Sequence, residues 1–350
     1  MNLLIQGNNL DGLRYLLDVR QMRGKIDLVY IDPPFATGGR FLFSNDRVAT
    51  ISRVSEGKLA YSDVLQGEDY LRFLRDRLDL IRELLSEQGS IYLHIDYKIG
   101  HYVKFVMDEV FGAENFRNDI TRIKCNPKNF ARVGYGNIKD MILFYTKTSN
   151  PIWHEPYVPF SEEEIERLYP KQDVDGRRYT TVPLHAPGET KNGATSRPFK
   201  GIYPPIGRHW RVDVEQLEAW DEEGLVEWSA RGNPRKKIYC DESKGKRVQD
   251  VWEFKDPPYP TYPTEKNLDL LKLIVSSSSN EDSIVLDAFC GSGTTLLAAR
   301  LLGRSWIGID QSDAAIAATK RKLGLGGTLL FDPEFETVDL FEAQAAIVAR

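Results

Sequence analysis

Short apolar runs alternate with stretches of helical period at both ends of this chain, and that alternation limits the possible folds more than any other feature. Leu3–Gln6 reads as a short strand, followed by a helical stretch from Asn9 to about Val19. Ile26–Ile31 (IDLVYI) reads as a buried strand. Between Glu68 and Leu85 the residues Leu71, Leu74, Leu78, Ile81, Leu84 and Leu85 recur at helical spacing, and Gly89 stops the helix. Ser90–Ile95 is the next strand, Ile99–Phe111 the next helix, and Ile120–Lys124 and Met141–Thr146 two further strands. The order resumes late in the chain with helix Leu268–Ser276, strand Ser283–Phe289, helix Thr294–Leu302, strand Ser305–Asp310 and helix Asp313–Leu323. Strands separated by helices predict an α/β protein with a doubly wound, mostly parallel, Rossmann-like sheet.

From about Pro151 to Lys255 the alternation is lost. Pro, Gly, Trp, Tyr, Arg and Lys interleave there, with one helical piece near Val214–Trp220. The chain therefore divides into residues 1–150, an insertion 151–255, a returning half 256–325 and a tail 326–350 whose structure the pattern leaves ambiguous. At 350 residues, 41% hydrophobic and 28% charged, it has the balance of a globular protein with two domains, or one with an insertion. No apolar run is long enough to span a bilayer, and Met1–Gln6 lacks the basic flank of a signal peptide. Cys125, Cys240 and Cys290 lie far apart, with no CxxC or HExxH, so neither a disulfide framework nor a metal site is expected and a cytoplasmic setting fits. A net charge of −5 argues against a protein that coats nucleic acid, while leaving room for an enzyme with a local basic cleft.

Ligands of open parallel sheets sit beyond the carboxyl ends of the strands, and two segments place unusual residues at such ends. In Asp287-Ala288-Phe289-Cys290-Gly291-Ser292-Gly293-Thr294-Thr295 an apolar strand runs into a Gly-x-Gly turn that opens a helix. No Gly-Lys-Ser/Thr follows, so it is not a phosphate-gripping loop, and Leu296 stands where a dinucleotide site has its third glycine. The next strand ends in Asp310, an acid suited to ribose hydroxyls. The combination suits a nucleoside without a pyrophosphate, such as S-adenosylmethionine. A tight turn with no ligand is the plainer reading of Gly-x-Gly by itself; Asp287 and Asp310 shift the balance.

The second segment, Asp32-Pro33-Pro34-Phe35, follows IDLVYI. Two prolines fix the backbone, remove two N–H donors and hold Asp32 extended. The result is a rigid ledge of acceptors beside an aromatic face, which suits an amino group on a planar ring. Asp256-Pro257-Pro258-Tyr259 repeats the letters, but Val251–Lys255 is short and polar and reads as a connecting loop. His94 and Asp96 end a strand and read as core or sheet-end residues, and Cys290 as a small packing residue. Ala36–Leu65, rich in glycine and of mixed polarity, reads as a loop that closes over a ligand.

VYIDPPF followed much later by LDAFCGSGTT resembles the amino-methyltransferases of DNA in the circularly permuted, beta-class arrangement, with the catalytic motif first, a target-recognition insertion second and the cofactor motif last. PRKKIYCDESKG is similar to adenine-specific modification subunits of restriction systems. The resemblance runs from Asn2 to about Leu323. It implies transfer of a methyl group from S-adenosylmethionine to a flipped-out base of double-stranded DNA. Asp32, Pro33, Pro34 and Phe35 would be catalytic, with Asp rather than Ser in the tetrapeptide favouring N6 of adenine over N4 of cytosine. Asp287, Phe289, Gly291, Gly293 and Asp310 would hold the cofactor. Asn8 in QGNNL would lie near its adenine, where the family usually has Asp. Thr264 and Lys266 in YPTEKN would lie near its methionine end, where the usual pattern is Gln-Lys-Pro. A homodimer or a restriction subunit are the protein partners it suggests, and no membrane.

Arg177, Arg178, Arg197, Arg208, Arg235 and Lys236 are the candidate DNA contacts of the insertion, with Arg211 and Lys237 in the same stretch and aromatics among them. For any single one a solvated surface position is the plainer reading. The rival functions are an N4-cytosine or RNA methyltransferase, a catalytically silent nucleic-acid-binding subunit, and a nucleotide-binding dehydrogenase.

Overall fold

The computed structural model describes residues 1–34, 40–43, 58–62, 67–127, 133–260, 262, 265–324 and 335–341. They form two compact units, one of Met1–Pro156 with Gln249–Arg350 and one of Tyr157–Val248.

The larger unit is built on strands β1 (Asn2–Gln6), β2 (Ile26–Ile31), β3 (Leu85–Ile95), β4 (Phe116–Ile123), β5 (Lys139–Thr146), β6 (Val251–Glu253), β7 (Ile284–Asp287), β8 (Ser305–Asp310) and β9 (Phe335–Asp339). Among the described residues they make one nine-stranded sheet in the order β6-β4-β5-β3-β2-β7-β8-β1-β9. β5 runs antiparallel to both its neighbours, and the other pairings are parallel. Helices α1 (Asn9–Asp18), α2 (Gly67–Leu84) and α3 (Tyr97–Phe111) pack on one face. Their partners are alternate strand residues, Leu3 and Ile5, Val29 and Ile31, Leu93 and Ile95, all buried. The intervening residues point the other way, where Tyr92 hydrogen-bonds Ser278 at the end of α4 (Leu268–Ser278) at 2.8 Å. Both faces are thus covered, which is why the strands read as near-continuous apolar runs.

Caps set the helix starts where the strands end. The Asn8 side chain accepts from Leu10 N–H at 2.9 Å at the head of α1, and Asp96 accepts from Lys98 N–H at 2.9 Å at the head of α3. Three segments differ from the sequence expectation. Val251–Glu253, expected in a loop, pairs in parallel with β4 as the edge strand β6, because a three-residue edge needs a template and not an apolar period. Phe335–Asp339, in the ambiguous tail, pairs with the whole of β1 as β9. Within the expected loop 36–65, Arg40–Phe43 and Lys58–Ser62 pair as antiparallel strands, and the rest lies outside the described residues.

The smaller unit carries a four-stranded antiparallel sheet of Lys171–Gln172, Arg178–Pro183, Pro234–Tyr239 and Val226–Trp228. A two-stranded piece joins His185–Pro187 to Arg208–Trp210. Helix Val214–Glu222, where the sequence predicts one, closes a core of Leu184, Phe199, Trp210, Val214 and Leu217.

Candidate active site

β2 and β7 are neighbours in the middle of the sheet, with Leu28 beside Val285 and Val29 beside Leu286. From β7 the chain moves outward to β8, and from β2 outward to β3, so the two runs diverge from this pair. Parallel strands that diverge leave a crevice beyond their carboxyl ends. Asp32 follows β2, the glycine turn follows β7, Asp310 ends β8, and Gln6, which ends β1, lies beside Asp310. A cavity of about 200 Å³ opens there. Asp32, Pro33, Pro34, Asn8, Lys266, Asp287, Phe289, Gly291 and Asp310 all line it.

The acids of the cavity are held by their own strand ends. Asp310 accepts from Gly291 N–H and from Ser312 N–H, both at 2.9 Å. Asp287 accepts from Phe289 N–H at 3.0 Å and from the Thr295 hydroxyl at 2.6 Å. Burial raises the pKa of both, that of Asp287 to about 7, against the lowering effect of these hydrogen bonds. Gly291 takes φ +51° and Gly293 φ +76°, a region that favours glycine. Gly293 is not a lining residue: a Cβ there would lie 2.8 Å from Thr319, so its bareness lets helix α5 (Asp313–Lys322) approach the turn.

The amides of the turn are already engaged. Cys290 N–H donates to Ile309 O, Gly291 N–H to Asp310, and Gly293 N–H to Cys290 O. A pyrophosphate would need such amides free, so the turn does not offer a dinucleotide site. The carboxylates that line the cavity suit a cationic ligand instead, and Phe73, Phe289 and Tyr262 offer apolar faces for a base or a thioether. These residues fit S-adenosylmethionine. Burial pushes the Cys290 thiol well up, which keeps it protonated and a packing residue.

Asp32 has two unlike oxygens. Oδ2 pairs with Lys266 Nζ at 2.6 Å, whereas Oδ1 is buried with no hydrogen-bond partner among the described residues. An unpaired buried acceptor is costly, and it belongs to a residue that lines the cavity. Beneath this pair runs a buried polar chain. Tyr30 OH meets His94 Nδ1 at 2.8 Å, and His94 Nε2 meets Asp140 at 3.3 Å. Burial holds the His94 imidazole below its usual range, so it is neutral, donates Nε2–H to Asp140 and accepts from Tyr30. Burial would raise the Asp140 carboxyl, but His94 and Lys124 outweigh it and hold it well below the usual range.

Several lining residues carry no motif. Arg77 of α2 donates to Asn9 at 2.6 Å, to Asn8 at 3.3 Å and to Phe73 O at 2.8 Å, and lies 3.5 Å over the Phe73 ring. Burial lowers its pKa to about 10. The available signal was a charge on the apolar stripe of α2, with Leu74 before it and Leu78 and Ile81 after it. Lys322 ties Glu265 (2.6 Å), Ser292 (2.8 Å) and Thr294 (2.9 Å) together behind the turn. Phe35 and Thr264 lie outside the described residues. In the smaller unit Arg177 engages Asp241 and Glu242, Arg178 lies 3.9 Å from Glu166, Arg197 holds Glu215 and Lys236 sits 3.5 Å over the Trp220 ring. Arg208 and Arg235 have no carboxylate partner among the described residues. Among the described residues no group of His, Cys, Asp and Glu is placed to hold a metal, and no helix is long and apolar enough to cross a membrane.

A mostly parallel sheet with acids at the ends of its central strands, and a glycine turn whose amides are engaged within the fold, defines a methyltransferase-like α/β protein. A family model described as DNA methylase matches residues 26–321, and the chain belongs to that family. It is 42% identical over 308 residues to the type II methyltransferase M.EcaI of Enterobacter cloacae, an alignment that covers 86% of this chain and 65% of that protein. It is 28% identical over 332 residues to the StyLTI Mod subunit, from a type III restriction-modification enzyme of Salmonella typhimurium, covering 84% and 49%. The chain thus spans between about half and two thirds of the length of these relatives. Among solved structures, the cytosine-N4-specific PvuII DNA methyltransferase shares the fold at a TM-score of 0.51 and 13% identity, over 97% of this chain and 95% of that one.

Proposed function

We propose that this chain is an S-adenosylmethionine-dependent DNA methyltransferase, arranged as a circular permutation, that methylates N6 of an adenine turned out of double-stranded DNA. The observation that carries the reading is the unpartnered Oδ1 of Asp32 in the same cavity as Asp287, Asp310 and the glycine turn. Asp32 rather than Ser in the tetrapeptide is the reason for preferring adenine.

When bound, S-adenosylmethionine supplies a methyl group on a positively charged sulfur, which leaves as a neutral thioether. Asp310 would hold the ribose hydroxyls through the lone pairs its two amide contacts leave over. Asn8, Phe289, Thr264 and Lys266 are further cofactor contacts on this reading, and Asp287 would face the ligand's positive charge. The exocyclic nitrogen of adenine is a weak nucleophile because its lone pair is delocalised. Asp32 Oδ1 accepts one of its N–H bonds and a carbonyl of the Asp32-Pro33-Pro34 ledge accepts the other, which draws the nitrogen towards a tetrahedral geometry. Lys266, on Oδ2, keeps the carboxylate from turning away. As the new N–C bond forms the nitrogen becomes cationic, and its surplus proton leaves through Asp32. Positioning and fixed electrostatics are the main sources of acceleration. Extruding the base costs a few kcal/mol, which binding must supply. The unit Tyr157–Val248 would read the target, and the setting would be cytoplasmic. A restriction subunit or a second copy are the protein partners this reading admits.

The test is methyl transfer from labelled cofactor to defined duplexes, followed by nucleoside analysis. N6-methyladenine is expected. N4-methylcytosine would move the reading to the other base, and label appearing solely in RNA, or nowhere, would end it.

A further inference from the structure

In the unit Tyr157–Val248 many of the basic side chains are paired with carboxylates. Arg177 forks onto Asp241 at 2.7 and 2.8 Å, Arg197 holds Glu215 at 2.5 Å and Lys237 holds Asp173 at 2.7 Å. Lys171 pairs with Glu227 and Lys200 with Asp221. Each of these charges is neutralised within the fold. Arg208, Arg211 and Arg235 are different: among the described residues none has a carboxylate partner.

These three dock on alternate residues of one segment, Thr181 to His185, which bends at Leu184. Arg235 donates to Thr181, to its hydroxyl at 2.8 Å and its carbonyl at 2.6 Å. Arg211 donates to the Pro183 carbonyl at 3.0 Å. Arg208 Nη1 meets His185 Nδ1 at 3.2 Å. Thr181 and Pro183 belong to the strand Arg178–Pro183, and His185 opens the next strand, His185–Pro187, after Leu184. The three anchors thus follow one another within five residues of the chain, across the turn from one sheet to the next. His185 confirms how close the charges lie: burial first, then Arg208, Arg211 and Arg235, hold its imidazole below the usual range. Each guanidinium has five donors, and the anchoring contacts leave some of them free. Three neighbouring like charges with no carboxylate partner among the described residues repel one another, and such a cluster is complementary to a polyanion.

We propose that Arg208, Arg211 and Arg235 form a ladder that grips successive phosphates of one substrate DNA strand, whereas Arg177 and Arg197 hold the fold and not the DNA. The proposal rests on the reading of the chain as a DNA methyltransferase and adds which cations meet the backbone. Arg suits the role because its fork matches phosphate oxygens two at a time.

The experiment titrates the full chain against a fluorescent duplex over a range of salt. Arg208→Gln, Arg211→Gln and Arg235→Gln are made singly and together, with Arg177→Gln and Arg197→Gln as comparators. The slope of log K against log salt is expected to shrink by about 0.9 for each phosphate contact removed, with equal weakening on target and unrelated duplexes and unchanged cofactor affinity. A triple variant with the wild-type slope overturns the ladder, as does an equal loss in Arg177→Gln or Arg197→Gln. Weakening confined to one target sequence also overturns it, since that marks base readout. If the wild type methylates DNA and the triple variant binds it normally, the ladder falls alone. If the wild type neither binds nor methylates DNA, the functional reading falls with it.

Discussion

Asp-Pro-Pro ends two parallel strands of the same sheet, and the two copies have opposite surroundings. Asp32 follows a central strand, pairs through one oxygen with Lys266 and keeps the other buried and unpartnered. Asp256 follows the edge strand β6, gives its amide to Lys124 O at 2.8 Å and receives Arg122 at 2.5 Å. Arg122 is 1% exposed and also lies 3.5 Å from Asp140, so Asp256 helps to neutralise a buried cation. The tripeptide therefore supplies stiffness, and its place in the sheet decides what the stiffness is for. At the divergence of the strands it sets a carboxylate on the wall of the cavity, and at the edge it locks a strand end.

The comparison breaks most sharply at the two acids. Asp32→Ala should lower methyl transfer by at least about 10³-fold while leaving cofactor affinity unchanged; retained turnover would end the assignment. Asp256→Ala should leave turnover of the folded enzyme alone and cost about 1–3 kcal/mol in denaturant unfolding. That figure is below the cost of breaking a wholly buried pair, because Asp256 is 30% exposed and Asp140 still serves Arg122. A transfer defect in Asp256→Ala would show that both copies act on substrate. Lys266→Met sharpens the role of the central pair. Losing a charge-assisted hydrogen bond of about 1.5–3 kcal/mol should cut kcat roughly 10- to 100-fold, with a smaller loss of cofactor affinity. The reverse pattern would make Lys266 a cofactor contact with no hold on Asp32.

The smallest effect concerns Asp287. Its folded carboxyl keeps a proton up to about pH 7, whereas an unfolded one releases it near pH 4. Between those values the native state binds the extra proton, so native stability falls as pH rises through the window. Asp287→Asn does not titrate. Its melting temperature relative to wild type should climb between about pH 5 and about pH 8. A constant difference across that range would contradict the buried, proton-retaining acid.

The two strand ends that line the cavity were legible because IDLVYI and SIVLDAF are apolar enough to be buried on two faces, and because proline and glycine mark where each strand stops. The Asp32–Lys266 pair was not, since it joins segments far apart in the chain and the sequence of either leaves the partner open. Arg77 was half-legible: its place on an apolar stripe says that it is buried, but not that it braces Asn8 and Asn9. Val251–Glu253 and Phe335–Asp339 were illegible as strands because they are made by the edges they join. In the smaller unit the sequence marks where the cations are concentrated. Which of them stay unpaired depends on antiparallel register, such as Pro183 beside Arg235, that no local pattern fixes.

The neighbouring of β2 and β7 also has a cost during synthesis. β2 is made long before β7, the strand that covers one of its edges. At about 5–20 residues per second, an apolar strand waits on the ribosome with an open hydrogen-bonding edge for roughly ten to fifty seconds. Nascent chains stalled before Ile284 should accordingly be cut by protease within the first half, and chains stalled well past Asp310 should resist.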